Sequence, residues 1–240
     1  MKLIGVIPAR MGATRCPGKP LIMMAGKPMV QWVYEAASRC AELSAVVVAT
    51  PDDEIVNSVK GFGGEAVLTS AAHPTGTDRI AEVSRLLDSD AYLNIQGDEP
   101  LIQTSTISAC AKLMSSDVQL ASVYDLAGEG DADNPMVVKV VTDEDDFALY
   151  FSRSPIPFIR GEAVPLKKHI GLYGFTKDAL AKFAGWEPAP LEKAESLEQL
   201  RFLEHGLRIK MTRAEATPLA VDTPEQAEEA ARLLAAGVGR

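Results

Sequence analysis

Four apolar, β-branched runs recur through the first hundred residues, each separated from the next by a segment of helical spacing. Lys2–Pro8, Ala45–Thr50, Glu65–Thr69 and Ala91–Ile95 read as strands. Between them, Pro28 to about Ala41, a segment opening at Pro51 with Asp52, Asp53 and Glu54 in its first turn, and roughly Thr77–Leu87 read as helices. Strand–helix–strand alternation implies an α/β fold with a doubly wound, mostly parallel sheet and right-handed crossovers. Such a sheet holds ligands beyond the carboxyl ends of its strands. The loops that matter therefore leave Pro8, Thr50, Thr69 and Ile95.

The second half is less regular. Leu120–Leu126, Met136–Thr142, Ala148–Ser152, His169–Thr176 and Leu207–Met211 read as strands, with Pro155, Pro157 and Pro165 marking an extended stretch among them. Leu191–Glu204 reads as one helix, because Leu197, Leu200 and Leu203 repeat at helical spacing, and Thr223–Ala236 reads as the last. No long linker divides the halves. At 240 residues the chain suits one large α/β domain. Residues from about 120 to 210 are expected to form a smaller part on the same core.

A formal net charge of -9 argues against a nucleic-acid binder, which usually presents a basic face. It does not exclude nucleotides, since a few local cations can hold a triphosphate in an acidic protein. Three cysteines without a CxxC pair make neither a disulfide framework nor a zinc site. Lys2 leads directly into a short strand, so no secretory leader is expected. No apolar run approaches the roughly 20 residues that cross a bilayer. The expectation is a reducing, cytoplasmic setting without membrane insertion.

Chemistry gathers in the loops already singled out. After the first strand, Arg10, Arg15 and Lys19 lie among Gly12 and Gly18. Glycine lets the backbone approach a ligand, and the cations meet phosphate charge. The spacing matches neither a Walker A loop nor the GxGxxG of a dinucleotide fold. That leaves a triphosphate cradle of another kind, or a solvated loop with ordinary surface cations. Asp98, in Gln96-Gly97-Asp98-Glu99-Pro100, leaves the fourth strand where a carboxylate points into the crevice. Mg²⁺ takes one or two carboxylates with phosphates and water, but the same residues also compose a plain turn. Asp222, before Thr223-Pro224, is either a second metal carboxylate or part of a helix cap, and spacing alone favours the cap. Thr75-Gly76-Thr77-Asp78-Arg79 opens a helix whose amides can meet an anion, or is a capped helix with a surface arginine. Arg153, His169, Tyr173, Glu198 and Gln199 are scattered and, taken singly, read as structural. Glu198 and Arg201 would be an exposed i,i+3 pair, and His169 a partly buried histidine.

Taken in order, these stretches resemble one family closely. IPAR, TR-x-PGKPL, GKPM, VVVAT, GTDR, QGDEPLI, ALYFSRSPIP, KHIGLYGF, LEQLR and VDTPE run from Ile7 to Glu225 in the order of the 3-deoxy-manno-octulosonate (Kdo) cytidylyltransferases, the CMP-Kdo synthetases. The resemblance implies a GT-A-like nucleotidyltransferase fold, with a smaller sugar-binding and dimerisation subdomain, in a homodimer. It implies transfer of CMP from CTP to the anomeric hydroxyl of Kdo, with release of pyrophosphate, for lipopolysaccharide synthesis. By motif, Arg10, Arg15 and Lys19 correspond to the triphosphate cradle, and Arg79 and Gln96 to nucleotide contacts. Asp98 and Asp222 correspond to the carboxylates that hold Mg²⁺, and Arg10, Lys19, Asp98 and Asp222 would carry catalysis. Arg153, His169, Tyr173, Glu198 and Gln199 correspond to the sugar-acid pocket, with Arg153 meeting the carboxylate.

Two positions depart from the family pattern: Met11 stands where an aromatic is usual, and Cys16 where leucine is usual. The segment between Phe158 and Lys167 is also short for the family. The nearest alternative is a cytidylyltransferase for another acidic sugar, 8-amino-Kdo or a sialic acid; GKPL, rather than GKNL, favours Kdo. A non-catalytic nucleotide-sugar sensor on this fold would lack the two carboxylates. A nicotinamide dehydrogenase would need the missing GxGxxG.

Overall fold

A computed structural model describes residues 1–12 and 16–238. In chain order, β1 (Leu3–Pro8) leads through a 3-10 turn (Lys19–Leu21) to a small hairpin of β2 (Met23–Met24) and β3 (Lys27–Pro28), then to α1 (Met29–Ser38). Next come β4 (Ala45–Thr50), α2 (Asp53–Gly61), β5 (Ala66–Leu68), α3 (Gly76–Leu86), β6 (Ala91–Asn94) and α4 (Thr104–Leu113). The second half supplies β7 (Leu120–Leu126), β8 (Lys139–Thr142), β9 (Ala148–Ser152), β10 (Lys167–Thr176), α5 (Lys177–Phe183), α6 (Pro190–Glu195), α7 (Gln199–Glu204), β11 (Ile209–Arg213) and α8 (Pro224–Ala235).

One sheet gathers almost all of these strands, in the order β11-β7-β10-β6-β1-β4-β5, with the β8–β9 hairpin attached to β10. β6, β1, β4 and β5 are parallel neighbours, as the alternating first half requires. Side chains alternate across them. Leu3, Ile7, Val46, Val48 and Leu93 join a core with α1, α2 and α4. Ile4, Val6, Val47, Ala49 and Tyr92 join another with α3, α5 and α7. Burial on both faces is why β1, β4 and β6 read as largely apolar runs. The chain leaves β1 for β4 and β5 on one side and returns to β6 on the other. The topological switch point therefore lies between β1 and β6, and the loops after those two strands flank the crevice there.

The second half departs from the parallel pattern. β10 runs antiparallel to both β6 and β7, while β11 is parallel to β7. A third core of Met24, Met29, Trp32, Leu101, Val221, Ala227, Ala230 and Leu234 packs α8 onto the first hairpin and α1. The C-terminal helix thus docks beside the loop that follows β1.

Two local expectations change. Leu191–Glu204 is not one helix but two, broken at Ser196, whose φ of 54° is left-handed. Neither glycine nor proline marks the break, and Leu197, Leu200 and Leu203 all lie beyond it, so their spacing does not report it. The chain folds back there because Arg201 of α7 pairs with Glu192 of α6. Arg201 is therefore buried and turned to Glu192, not an exposed partner of Glu198. The β2–β3 hairpin turns on Ala25 and Gly26, both at positive φ, the conformation a two-residue hairpin loop demands.

Candidate active site

The loop after β1 is pinned at several points. Asp52, beyond β4, accepts a hydrogen bond of 2.8 Å from the Met11 amide, and the Gly18 amide donates to the Met11 carbonyl at 3.0 Å. Gly18 sits at φ 70°, where a side chain would be strained. It delivers Lys19 to the crevice. The Lys19 ammonium donates to Asp98 at 2.8 Å, to the Val221 carbonyl at 2.8 Å and to Asp222 at 3.4 Å. The Val221 amide in turn donates to the Asp98 carbonyl at 2.8 Å. Residues about 80 and 200 positions away from Lys19 are thereby joined at one point. Arg15 lies outside the described residues.

The helix cap in the Asp222 segment does not use the Asp222 carboxylate. Thr223 is the helix cap: its hydroxyl accepts from the Gln226 amide, and the Gln226 side chain accepts from the amides of Asp222 and Thr223. Capping falls to Thr223, so the Asp222 carboxylate turns to Lys19.

Asp98 is placed by Gly97. A Cβ on Gly97 would meet the Pro8 carbonyl oxygen at 2.8 Å, and backbone cannot yield that space cheaply. Gly97→Ala is expected to destabilise the protein by about 1–3 kcal/mol and to lower turnover, since the loop must move off the end of β1 and take Asp98 with it. Urea unfolding and steady-state rates on the same preparation check both effects. Next to Asp98, burial pushes the Glu99 carboxyl up to about 7, although Thr217 bonds to it at 2.6 Å.

Three cavities meet around this point. One of about 320 Å³ is lined by Arg10, Cys16, Lys19, Gln96, Asp98 and Asp222, among others. A smaller one of about 130 Å³ shares Arg10 and adds His73, Thr75, Gly76 and Arg79. Arg79 is buried there, donating to the Thr69 hydroxyl and, at 3.0 Å, to the Ser70 carbonyl. A third, of about 580 Å³, shares Gln96, Asp98 and Asp222 with the first. Arg153, Tyr173, Glu198 and Gln199 line it. Gln96 lies at the boundary and donates to the Gly171 carbonyl at 2.9 Å. Burial pushes the Glu198 carboxyl above its ordinary value, against the hydroxyls of Thr77 and Thr75 that bond to it. Burial also holds the Tyr173 phenol well above its usual range.

His169 is the exception among the residues expected around the sugar. It is absent from the cavity lining and sits behind it. Its ring packs edge-on to Phe151, with centroids 5.0 Å apart, and against Tyr173 at 5.1 Å, and its Nε2 lies 3.0 Å from the Ser122 hydroxyl. Burial pushes its pKa down to about 3. A histidine held neutral in this way contributes stability that is complete above its ordinary value of 6.5 and is lost as the pH falls towards 3. In a histidine-labelled NMR titration its ring signals are expected to stay fixed between about pH 8 and 5, where a solvated histidine shifts.

Sequence reasoning missed Asn94. It is buried on β6, it lines the 580 Å³ cavity, and its Oδ1 has no hydrogen-bond partner among the described residues; the same holds for the Gln199 Nε2. The signal was present as the one polar side chain in the apolar run Tyr92-Leu93-Asn94-Ile95, at the strand end that faces the crevice.

A family model described as cytidylyltransferase matches residues 4–209. A 3-deoxy-manno-octulosonate cytidylyltransferase of Geobacter metallireducens is 43% identical over 250 residues, covering 95% of this chain and 96% of that one. One of Syntrophotalea carbinolica is 46% identical over 238 residues, covering 94% and 95%. A solved structure of CMP:2-keto-3-deoxy-manno-octonic acid synthetase complexed with CTP superposes with a TM-score of 0.95 at 40% identity, covering 98% of this chain and 99% of that one. At 19% identity and a TM-score of 0.63, a cytidylyltransferase from Leptospira borgpetersenii shares the fold. With crevice, cation and paired carboxylates in a frame matched along nearly its whole length, the chain belongs to the cytidylyltransferase family, among the 3-deoxy-manno-octulosonate cytidylyltransferases.

Proposed function

We propose that the chain transfers CMP from CTP to the anomeric hydroxyl of Kdo and releases pyrophosphate, supplying an activated sugar for lipopolysaccharide synthesis. The observation that carries this reading is the position of Lys19, Asp98 and Asp222 where two cavities of different character adjoin. The smaller cavities, with Arg10, Lys19 and Arg79, suit a nucleoside triphosphate. The larger, with Arg153, Glu198 and Gln199, suits a polyhydroxylated acid. The sugar oxygen and the α-phosphorus would then meet between them. Attack forms an oxygen–phosphorus bond as the α–β phosphoanhydride bond breaks.

Such transfer is mostly positioning and charge stabilisation. Arg10 and Lys19, with Arg15, hold the phosphates and stabilise the departing pyrophosphate. Arg153 fixes the sugar carboxylate, Arg79 and Gln96 orient the nucleotide, and Tyr173, Glu198 and Gln199 position the sugar. His169 acts by supporting Tyr173 from behind.

The donor set fits Mg²⁺. Asp98 and Asp222 offer only carboxylate oxygens, both partly open to the crevice and both within 3.4 Å of one ammonium. That is the one-or-two-carboxylate provision Mg²⁺ uses alongside phosphates and water. When bound, the ion neutralises phosphate charge and polarises the attacking hydroxyl. The reading carries with it a cytoplasmic homodimer in a single nucleotidyltransferase domain, with residues from about 120 to 210 serving the sugar and the subunit contact. No helix among the described residues is long and apolar enough to cross a membrane.

Mixing CTP and Mg²⁺ with Kdo, 8-amino-Kdo or a sialic acid, and following pyrophosphate, tests the assignment. Kdo is expected to give the highest kcat/KM. A sialic acid that outperforms it would overturn the substrate, and no release with any sugar acid would overturn the reaction.

A further inference from the structure

Lys139 is fully buried, with an exposure of 0%, on the hairpin that flanks β10. A buried ammonium needs a reason, because desolvation penalises its charge. Here its three donors are all used on backbone oxygens: the carbonyls of Asn134 at 3.0 Å, Val137 at 2.7 Å and Arg153 at 2.6 Å. No carboxylate forms an ion pair with it among the described residues.

Those three carbonyls hold the two ends of one device. Arg153 donates through Nη1 to the Pro135 carbonyl at 2.9 Å, so its guanidinium rests on the loop that Lys139 gathers. Its Nε donates to the Glu195 carbonyl at 2.9 Å, and its amide to the Glu195 carboxylate at 3.0 Å. The guanidinium is thus oriented by neutral carbonyls and has no ion-pair partner among the described residues, while it lines the 580 Å³ cavity. A cation held in this way keeps its charge for an incoming anion.

We propose that Lys139 is a positioning residue for the sugar substrate: it clamps the 134–137 loop to the backbone of Arg153 and so fixes the guanidinium that receives the sugar carboxylate. This rests on the sugar-acid reading of Arg153. Lys139 touches neither substrate. Its contribution is to hold Arg153 in the binding geometry beforehand, so that the binding step need not order it.

The test is a double-mutant cycle in the full-length enzyme with saturating Mg²⁺. Lys139→Met is expected to raise KM for Kdo about tenfold and leave KM for CTP within about twofold. On an Arg153→Ala background the same change is expected to add less than about twofold, since the residue it acts through is gone. An equal rise in both KM values, or the full effect persisting on Arg153→Ala, would overturn the clamp. An Arg153→Ala enzyme with unchanged KM for Kdo would overturn the sugar-acid reading itself. Hydrogen exchange on the unsubstituted enzyme covers a Lys139→Met protein that does not fold. Kdo is expected to protect residues 134–139 and 151–154 together, and protection of 151–154 alone would overturn the coupling.

Discussion

Asp98→Asn is expected to leave the fold intact and to reduce CMP transfer about a thousandfold, or about 4 kcal/mol of barrier. The two halves of that expectation rest on different atoms. The structural link from this loop to the C-terminal segment is the Asp98 carbonyl, which accepts from the Val221 amide at 2.8 Å and is untouched by the substitution. Lys19 also keeps the Val221 carbonyl and Asp222. What disappears is one of two negative charges at the junction of the cavities. An amide of the same shape neither balances the Lys19 ammonium nor serves as an anionic oxygen donor to Mg²⁺. Thermal unfolding close to the parent protein, with pyrophosphate release almost abolished at saturating CTP, Kdo and Mg²⁺, is the expected pair of results. Turnover within tenfold of the parent would remove Asp98 from the catalytic machinery.

Arg201→Met is expected to cost about 3–5 kcal/mol of stability, because it strands a buried carboxylate. Arg201 and Glu192 retain only 5% and 10% side-chain exposure, and the guanidinium meets the carboxylate twice, at 2.7 and 2.5 Å. Its carbon also lies 4.0 Å from the centre of the Phe183 ring. The pair holds α6 against α7, and the link between those helices supplies Ser196, Leu197 and Glu198 to the 580 Å³ cavity. Activity on the sugar should fall with stability, through disorder of that link. Replacing Glu192 as well, as Glu192→Met, is expected to recover most of the loss, since no unpaired charge then remains. Urea midpoints of the parent, single and double variants decide the matter. A single variant as stable as the parent would show that the pair is not what holds the turn.

The residues that announced themselves in the sequence were those whose role follows from local pattern. Val46 to Ala49 alternate between two cores because a strand's side chains alternate, and a β-branched run with helices on both flanks has no other good solution. Asp98 stood out as a carboxylate at a strand end. Asp222 did not, because Thr223-Pro224 explains the same residues as a cap; only the approach of Lys19 from the far end of the chain distinguishes the roles. The break at Ser196 was invisible for a similar reason, since it depends on Arg201 meeting Glu192 across the turn. His169 was legible as a partly buried histidine, but its place behind Tyr173 follows from the register of β10 against β7. Lys139 gave no sign at all: a lysine in Val-Lys-Val-Val reads as a surface residue of a strand until the loop and Arg153 are seen to close over it.

The docking of α8 has a consequence for how the enzyme is made. Domains are built on the ribosome from the N-terminus, so Lys19 and strands β1, β4, β5 and β6 emerge well before α8. Until α8 packs onto the first hairpin, Asp222 has no fixed position and Lys19 has one carboxylate instead of two.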